Sequence, residues 1–132
     1  VAAAAGVATL GVVAREGLVA NSAERGTQLL EGLRRSLGDV GEICDIRGTG
    51  LMLGVEFGDP TAPAGSAGAV EAARLAGAVQ QACIDEDLLT LTCGPTGSVV
   101  RLIPALVVTA DEVDAGVERF TRAVHRVCDG AA

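Results

Sequence analysis

The sequence predicts an α+β fold, in which a small antiparallel sheet of about four short strands carries helices over one face. Three observations support this prediction. Apolar residues recur every three or four positions in several segments, whereas they alternate with other residues in a strand-like segment. The elements then follow the order helix, helix, strand, strand, helix, strand, strand, helix, which favours helices segregated to one side of a sheet. At 132 residues, the chain is expected to form a single domain.

Residues 1–37 predict a helical lead-in, and its first part is unusually apolar. Val1 to Ala14 is rich in alanine and apolar nearly all round, which is typical of a helix packed on several sides. The segment has no basic start, and Arg15 and Glu16 end it short of the roughly 20 residues that a membrane span requires. We therefore expect a buried helix and no membrane contact.

A second helix is predicted over residues 19–37. Gly17 separates it from the first helix, and Gly38 is placed to end it. Its apolar stripe recurs at intervals of four, three and four, at Gly26, Leu30, Leu33 and Leu37.

Residues 42–57 predict a pair of strands. The first covers Glu42 to Ile46 and the second Leu51 to Phe57, with Arg47-Gly48-Thr49-Gly50 as the link between them. The second strand alternates with a period of two, which places four apolar side chains on one face: Leu51, Leu53, Val55 and Phe57. The glycine-containing link precedes a strand and does not open a helix, so it lacks the order of a phosphate-binding loop.

A loop rich in Gly, Pro and Ser is predicted over residues 58–68, followed by a helix in the segment 69–87. The helix runs from Ala69 to Asp85, with a stripe at Ala72, Ala76, Val79 and Cys83. The acidic triplet Asp85-Glu86-Asp87 at its end predicts a solvated turn in preference to a metal or catalytic site.

Residues 88–106 predict a second strand pair, with strands at Leu88 to Thr92 and Ser98 to Ile103 and a turn at 93–97. Pro104 ends the second strand because it cannot donate a backbone hydrogen bond. Arg101 lies inside that strand and shares a face with Val99 and Ile103.

The last helix is predicted over residues 109–128. Thr109 and Glu112 have the spacing of a capping box. An apolar stripe follows at Val113, Val117, Phe120, Val124 and Val127, and His125 beside it is expected to be partly exposed.

Composition excludes several classes of function. The net charge of −7 and the presence of only two aromatic residues, Phe57 and Phe120, argue against nucleic-acid binding. All ten basic residues are arginine, so no Schiff-base or P-loop lysine lies in these residues. The widely spaced cysteines 44, 83, 93 and 128 predict isolated buried thiols of a cytoplasmic protein and no metal site. No complete catalytic set is recognisable.

Arg101 is the sharpest candidate for a functional side chain. A guanidinium in an otherwise apolar strand is costly to bury without a partner, and its planar fork of donors suits a carboxylate held through two hydrogen bonds. From the residues alone, two alternatives stay open: a structural salt bridge to one of the seventeen acidic residues, or a side chain that reaches out to water.

With these segments in place, the chain resembles the C-terminal small domain of class III pyridoxal-phosphate aminotransferases, and it looks most like bacterial 4-aminobutyrate aminotransferases. The matching stretches follow one another in the family's order: AREGLVANSAERG and LLEGLRRSL, then DIRGTGLMLGVEF, a variable loop and helix, LLTLTCGPTGSVVRLIPAL, and TADEVDAGVERFTRAV. Where the family commonly has Pro-Pro-Leu after the arginine, this chain has Pro104-Ala105-Leu106.

The resemblance implies a role for specific residues. In the family, the arginine of the V-x-R-x-x-P-x-L motif binds the substrate carboxylate, and here it corresponds to Arg101. Arg47, with Gly48 and Gly50, would shape a turn near the active site. The family's large domain supplies the catalytic lysine and the pyridoxal phosphate site, so no catalytic or cofactor-binding residue is expected here.

The resemblance also implies the activity and the partners. The intact enzyme would be a homodimer that transfers an amino group from an ω-amino acid to a 2-oxo acid such as 2-oxoglutarate. The chain alone is expected to be inactive and to bind no cofactor. The alternatives are a non-catalytic carboxylate-binding module or a dimerisation module derived from the same fold.

Overall fold

The computed structural model describes residues 1–131 and confirms the α+β architecture. Within these residues, four strands form one antiparallel sheet in the order β1-β2-β4-β3. The strands are β1 (Ile43–Thr49), β2 (Met52–Phe57), β3 (Leu91–Cys93) and β4 (Val99–Leu102). The helices are α1 (Ala2–Arg15), α2 (Leu18–Leu37), α3 (Ala67–Asp85) and α4 (Ala110–Cys128), followed by a short 3₁₀ helix at Asp129–Ala131.

The core lies between the sheet and three helices on one of its faces. Helices α2 and α3 contact the sheet, and α4 packs on both of them, so that the three apolar stripes form one core with the sheet residues Ile46, Leu53, Val55, Phe57, Val100 and Leu102. The predicted alternation in β2 is confirmed, because Leu51, Leu53, Val55 and Phe57 are all buried. Since neighbouring strand residues point to opposite faces, Gly54 and Arg101 lie on the face turned away from these helices.

The link between β1 and β2 is shorter than predicted. Strand β1 continues through Arg47 and Gly48 to Thr49, so the connection is reduced to Gly50 and Leu51. The prediction of a four-residue turn was wrong because glycine here serves close packing within the sheet. A Cβ on Gly48 would lie 2.8 Å from the Leu53 Cα.

The short turn is held against helix α2. Gly50 has a left-handed backbone with φ of +54°, and the Ser22 hydroxyl accepts a hydrogen bond from the Leu51 N–H (3.2 Å). Gly26 of α2 faces this turn, and a Cβ on Gly26 would lie 2.7 Å from the Gly50 Cα. The glycine in the predicted α2 stripe therefore allows helix and turn to meet.

Two other element boundaries differ from the predictions. Helix α3 begins at Ala67 because Ser66 caps it by accepting a hydrogen bond from the Ala69 N–H (3.3 Å). Strand β3 begins only at Leu91. The left-handed Asp87 (φ +55°) ends α3, and the Leu88 N–H donates to the Cys83 carbonyl (2.9 Å), so the residues after α3 still belong to its C-terminal cap.

Helix α1 forms as predicted, but the expectation that it is buried was wrong. Val12 and Val13 are half-buried, whereas Val7 and Leu10 are 73% and 71% exposed. Gly17, with φ of +63°, separates α1 from α2 and the two helices meet at 60°. An apolar composition favours burial only where another element covers the helix, and here α1 projects away from the core.

No single helix within the described residues is long and apolar enough to cross a membrane, although α1 and α2 taken together as a bent pair reach the required length and composition.

The acidic triplet after α3 connects that helix to α4. Glu86 forms ion pairs with Arg122 (Nε to Oε2, 2.8 Å) and Arg126, and the Arg119 guanidinium donates to the Glu86 carbonyl (3.0 Å). The Glu86 side chain is only 12% exposed, so the predicted solvated turn was wrong for this residue. The capping box of Thr109 and Glu112 at the start of α4 is confirmed.

Candidate functional site

Arg101 lies in β4, on the face of the sheet turned away from the buried helices. Its neighbours Val100 and Leu102 are 0% and 6% exposed and point into the core. Arg101 itself is paired with Gly54 of β2 on one side and with Leu91 of β3 on the other. Because β4 is an inner strand of the sheet, the backbone of Arg101 is fixed by neighbours on both sides.

The guanidinium of Arg101 has no partner among the described residues. Its Nε is buried and forms no hydrogen bond within residues 1–131. All seventeen acidic residues lie in that part of the chain, and the ion pairs formed there leave Arg101 out. An internal salt bridge, the structural alternative raised by the sequence, is therefore not observed. A buried donor without a partner is costly, and an incoming anion would remove that cost.

A shallow groove of about 660 Å³ runs over this face of the sheet, and Arg101 lies at one side of it. Gly54 lies at the middle of the groove, and Arg47 of β1 lies on the far side. The register places these residues in one row across the sheet, Arg47 opposite Gly54 and Gly54 opposite Arg101. The remaining lining residues are Gly48, Thr49, Met52, Leu53, Cys93 and Val99.

Arg47 shares the groove with Arg101 but is already paired. Its Nη1 donates to Asp45 (Oδ2, 2.8 Å) and to Glu56 (Oε2, 2.5 Å). Both hydrogen bonds raise the pKa of the Arg47 guanidinium, and the one to Asp45 has the larger effect. The sequence prediction that Arg47 lies near the candidate site is thus consistent with its position, although it is on a strand and not in a turn.

The other two predicted loop residues lie apart. Gly48 lines the groove, whereas Gly50 lies in the turn that packs on α2. The structure therefore brings Arg47, Gly48 and Arg101 together and leaves Gly50 in a supporting position.

Gly54 is a site residue that the sequence analysis did not identify. A Cβ at this position would lie 2.9 Å from the Val99 Cγ1, so a larger side chain would displace Val99 and fill the middle of the groove. The period of two in β2 placed Gly54 on the outer face, but its position between the two arginines depends on the strand register.

The cysteines agree only in part with the prediction of buried thiols. Cys83 and Cys128 are buried, and burial raises the pKa of the Cys128 thiol to about 11. Cys44 is exposed and Cys93, half-buried, lines the groove, so for these two the prediction was wrong. Both lie in the outer strands of the sheet, β1 and β3. The His125 side chain is 43% exposed, as predicted, and its Nδ1 lies 3.3 Å from the Asp129 Oδ2.

The groove does not have the groups that would hold pyridoxal phosphate. The 132 residues include no lysine for a Schiff base, and both aromatic rings, Phe57 and Phe120, are in the core at 1% and 0% exposure. No cluster of three or more metal-ligating side chains occurs within the described residues. The arrangement provides one chemical capability, which is a guanidinium on an inner strand that is unpaired within residues 1–131 and can bind an anion.

Comparisons with known proteins identify the same fold in solved transaminases. A transaminase from directed evolution by ancestral reconstruction superimposes with a TM-score of 0.84 over 98% of this chain and 28% of its own, at 29% identity. An engineered thermostable ω-transaminase from Pseudomonas jessenii gives a TM-score of 0.75 over 92% of this chain and 26% of its own, at 27% identity.

Sequence comparisons agree with these structures. A diaminobutyrate–2-oxoglutarate transaminase of Halomonas elongata is 35% identical over 126 residues, which are 96% of this chain and 26% of the relative. An acetylornithine aminotransferase of Methanothermobacter thermautotrophicus is 35% identical over 87% of this chain and 25% of its own length. The chain thus spans about a quarter of the length of these relatives.

The family model for class III aminotransferases matches residues 1–124, which is nearly the whole sequence. Together with the fold and the relatives, this match confirms the resemblance inferred from the sequence motifs. The chain belongs to the class III aminotransferases, a family of pyridoxal-phosphate-dependent enzymes.

Proposed function

We propose that this chain is the carboxylate-binding small domain of an aminotransferase that moves an amino group from an ω-amino acid to a 2-oxo acid such as 2-oxoglutarate. The observation that carries the proposal is the Arg101 guanidinium, which lines an open groove and has a buried Nε without a partner in the described part of the chain. Its placement on an inner strand favours a fixed direction of approach for the ligand.

The role proposed for Arg101 is positioning. A guanidinium binds a carboxylate through two parallel hydrogen bonds, which fixes the orientation of the ligand as well as its location. Holding the carboxylate in this way would present the amino-bearing end of the substrate to groups outside the groove, and such alignment lowers the entropic part of the reaction barrier.

The chemistry of amino transfer would depend on residues outside this sequence. Pyridoxal phosphate supplies the electron sink in this family, and the lysine that binds it is not among the 132 residues. We propose that a large domain provides these groups, and that the complete enzyme is a cytoplasmic homodimer. On this proposal the chain alone does not transaminate.

The choice of an ω-amino donor rests on the relatives. Several of them, from Halomonas elongata, Haemophilus influenzae and Rhizobium meliloti, are named diaminobutyrate–2-oxoglutarate transaminases or aminotransferases. A donor resembling 4-aminobutyrate or diaminobutyrate, with 2-oxoglutarate as the acceptor, is therefore the proposed pair.

The absence of lysine from the sequence also favours a second candidate, a non-catalytic module that binds carboxylates or forms dimers. The two candidates share the groove but differ in whether a pyridoxal-phosphate domain acts with it. If 4-aminobutyrate and 2-oxoglutarate react when such a domain is present, the aminotransferase is supported. If ligands bind but no amino transfer occurs in its presence, the module is favoured.

Binding to the chain can be tested by calorimetry with 2-oxoglutarate, glutamate and 4-aminobutyrate. We expect Arg101→Ala to weaken binding about tenfold or more, because it removes a charge-assisted pair of hydrogen bonds. Arg35→Ala is the matched control, since Arg35 is an exposed arginine on α2, remote from the groove. Equal affinity of wild type and Arg101→Ala, or no binding by wild type, would contradict the proposed role.

A further inference from the structure

The groove contains two arginines, of which, within residues 1–131, Arg47 is ion-paired and Arg101 is not. Arg47 and Arg101 lie in the same row of the sheet with Gly54 between them. Adjacent strands are about 4.8 Å apart, so the two Cα atoms are separated by about 10 Å across the flat Gly54 position. If both guanidinium groups were free, this spacing would favour a ligand with a carboxylate at each end.

The acidic groups around Arg47 disfavour the binding of a second carboxylate there. Asp45 and Glu56 both contact its guanidinium, and they lie opposite each other two positions along the strands from the Arg47–Gly54 pair, on the same face of the sheet. The groove is therefore lined by two positive charges, and the two negative charges beside it both lie next to Arg47. A second carboxylate near Arg47 would meet two like charges, which already engage its Nη1.

The two acids that pair with Arg47 differ in exposure. The Glu56 side chain is 18% exposed, compared with 46% for Asp45 and 52% for Arg47. Glu56 belongs to β2, which is hydrogen-bonded on both sides, so its backbone is fixed beside Arg47.

We propose that Asp45 and Glu56 are specificity-determining residues: by pairing with Arg47, they make the groove select ligands with a single carboxylate, bound at Arg101, over dicarboxylates. This inference rests on the proposed binding of a carboxylate by Arg101. An amino group at the other end of such a ligand would lie toward the acidic pair, which favours ω-amino acids. The second carboxylate of a 2-oxo dicarboxylic acid would need a cation from outside this chain.

The test is an NMR titration of the 132-residue chain with butyrate, 4-aminobutyrate and glutarate at constant ionic strength. The variant Asp45→Asn/Glu56→Gln keeps the shapes of both side chains and frees Arg47. We expect the affinity for glutarate relative to butyrate to rise about threefold to fivefold in this variant. Adding Arg47→Gln should return the ratio to the wild-type value.

A matched control separates the local effect from the change in net charge. Glu71→Gln/Glu118→Gln removes two negative charges from exposed helix positions outside the groove and should leave the ratio unchanged. A ratio that stays constant in Asp45→Asn/Glu56→Gln, or that rises equally in the control, would overturn the inference.

The failure of this inference is distinguishable from failure of the proposed function. If Arg101→Ala binds butyrate as well as wild type does, carboxylate binding by Arg101 is wrong. If Arg101→Ala loses binding but the double variant shows no change of ratio, only the selectivity is wrong. If the double variant does not fold, as judged by loss of its dispersed NMR spectrum, Arg47→Gln alone provides the opposite test. This variant leaves Asp45 and Glu56 without their positive partner, so the affinity for glutarate relative to butyrate should fall. A constant ratio would refute the inference.

Discussion

Arg101 is placed where stability and binding have opposite requirements. Within residues 1–131 its buried Nε has no hydrogen-bond acceptor, so this N–H is desolvated without compensation. A side chain retained only for folding would be expected to have a partner. The cost is explained if the acceptor is the carboxylate of a ligand.

This conflict predicts the effect of Arg101→Met, which keeps the length of the side chain and removes the charge. We expect the free energy of unfolding, measured by urea denaturation, to stay constant or to increase by up to about 1 kcal/mol. Arg34→Met is the contrasting variant. Arg34 donates to the Ile46 carbonyl (2.8 Å), and its loss should destabilise the chain by about 1 kcal/mol. Destabilisation of Arg101→Met by 3 kcal/mol or more would indicate a structural role for Arg101.

Gly26 predicts a second effect at the scale of a single residue. A Cβ there would lie 2.7 Å from the Gly50 Cα, a backbone atom that cannot turn away. Gly26→Ala should therefore lower the melting temperature, with a loss of about 2–3 kcal/mol, as is typical for overpacking. Gly77→Ala in α3 is the control, because open space surrounds Gly77 and alanine favours a helix. Similar melting temperatures for the two variants would contradict the close contact of α2 and the turn.

The sequence could identify Arg101 as a candidate but not its lack of a partner. An arginine between apolar strand residues is visible in the pattern, whereas any of seventeen acidic residues could have reached it. The same limit applies to Gly54, whose importance depends on its neighbours in β1 and β4. Side-chain availability follows from strand register, and the pattern of one strand does not contain that information.

At the scale of elements, α4 and β2 were the most predictable. The capping box of Thr109 and Glu112 and the alternation of β2 each combine a local signal with a buried face, so sequence and packing agree. Strands β1 and β3 were less predictable. Gly48 looks like a turn residue but allows close packing in a strand, and Leu88 looks like a strand residue but belongs to the cap of α3.

The junction of α3 and α4 predicts a dependence of stability on pH. The hydrogen bond from Arg122, together with the charges of Arg126 and Arg119, lowers the pKa of Glu86 below its ordinary value of 4.5. A carboxyl group whose pKa is lower in the folded state contributes stability above its unfolded pKa, and this contribution is lost as the pH falls through the folded pKa.

Glu86→Gln removes that contribution. The difference in unfolding free energy between wild type and Glu86→Gln should be constant near neutral pH and should shrink as the pH falls below 4.5. The control is Glu118→Gln, at an exposed position on α4, which should show no comparable change. A difference that is independent of pH down to pH 3 would mean that Glu86 does not stabilise the junction through its charge.

At the scale of the whole molecule, the fold separates a packed face of the sheet from the face that carries the candidate site. Helices α2 and α3 cover the face formed by Val55, Phe57 and Val100, and α4 packs on these two helices. The opposite face keeps the groove, and its row of Arg47, Gly54 and Arg101 is positioned by a sheet whose stability comes from the other side. Substitutions in the groove are therefore expected to have little effect on the packing of the core.

The α+β fold class was predictable because the periodicity of apolar residues identifies helices and strands, and the order of these elements indicates how they form layers. The exposure of α1 was not, since its composition fits a covered helix and only the three-dimensional structure shows where it projects. Family membership was recognisable from five motifs in order. The resemblance favoured carboxylate binding by Arg101, whereas the residue pattern alone left alternatives open.

The central claim is that the Arg101 guanidinium is a binding site for a carboxylate, and the Nε–Hε resonance of Arg101 tests it most directly. In a titration of the chain with 4-aminobutyrate at constant ionic strength, this signal should shift and saturate, while that of the exposed Arg35 stays in place. An Arg101 resonance that does not move, or that moves only as much as that of Arg35, would contradict the claim.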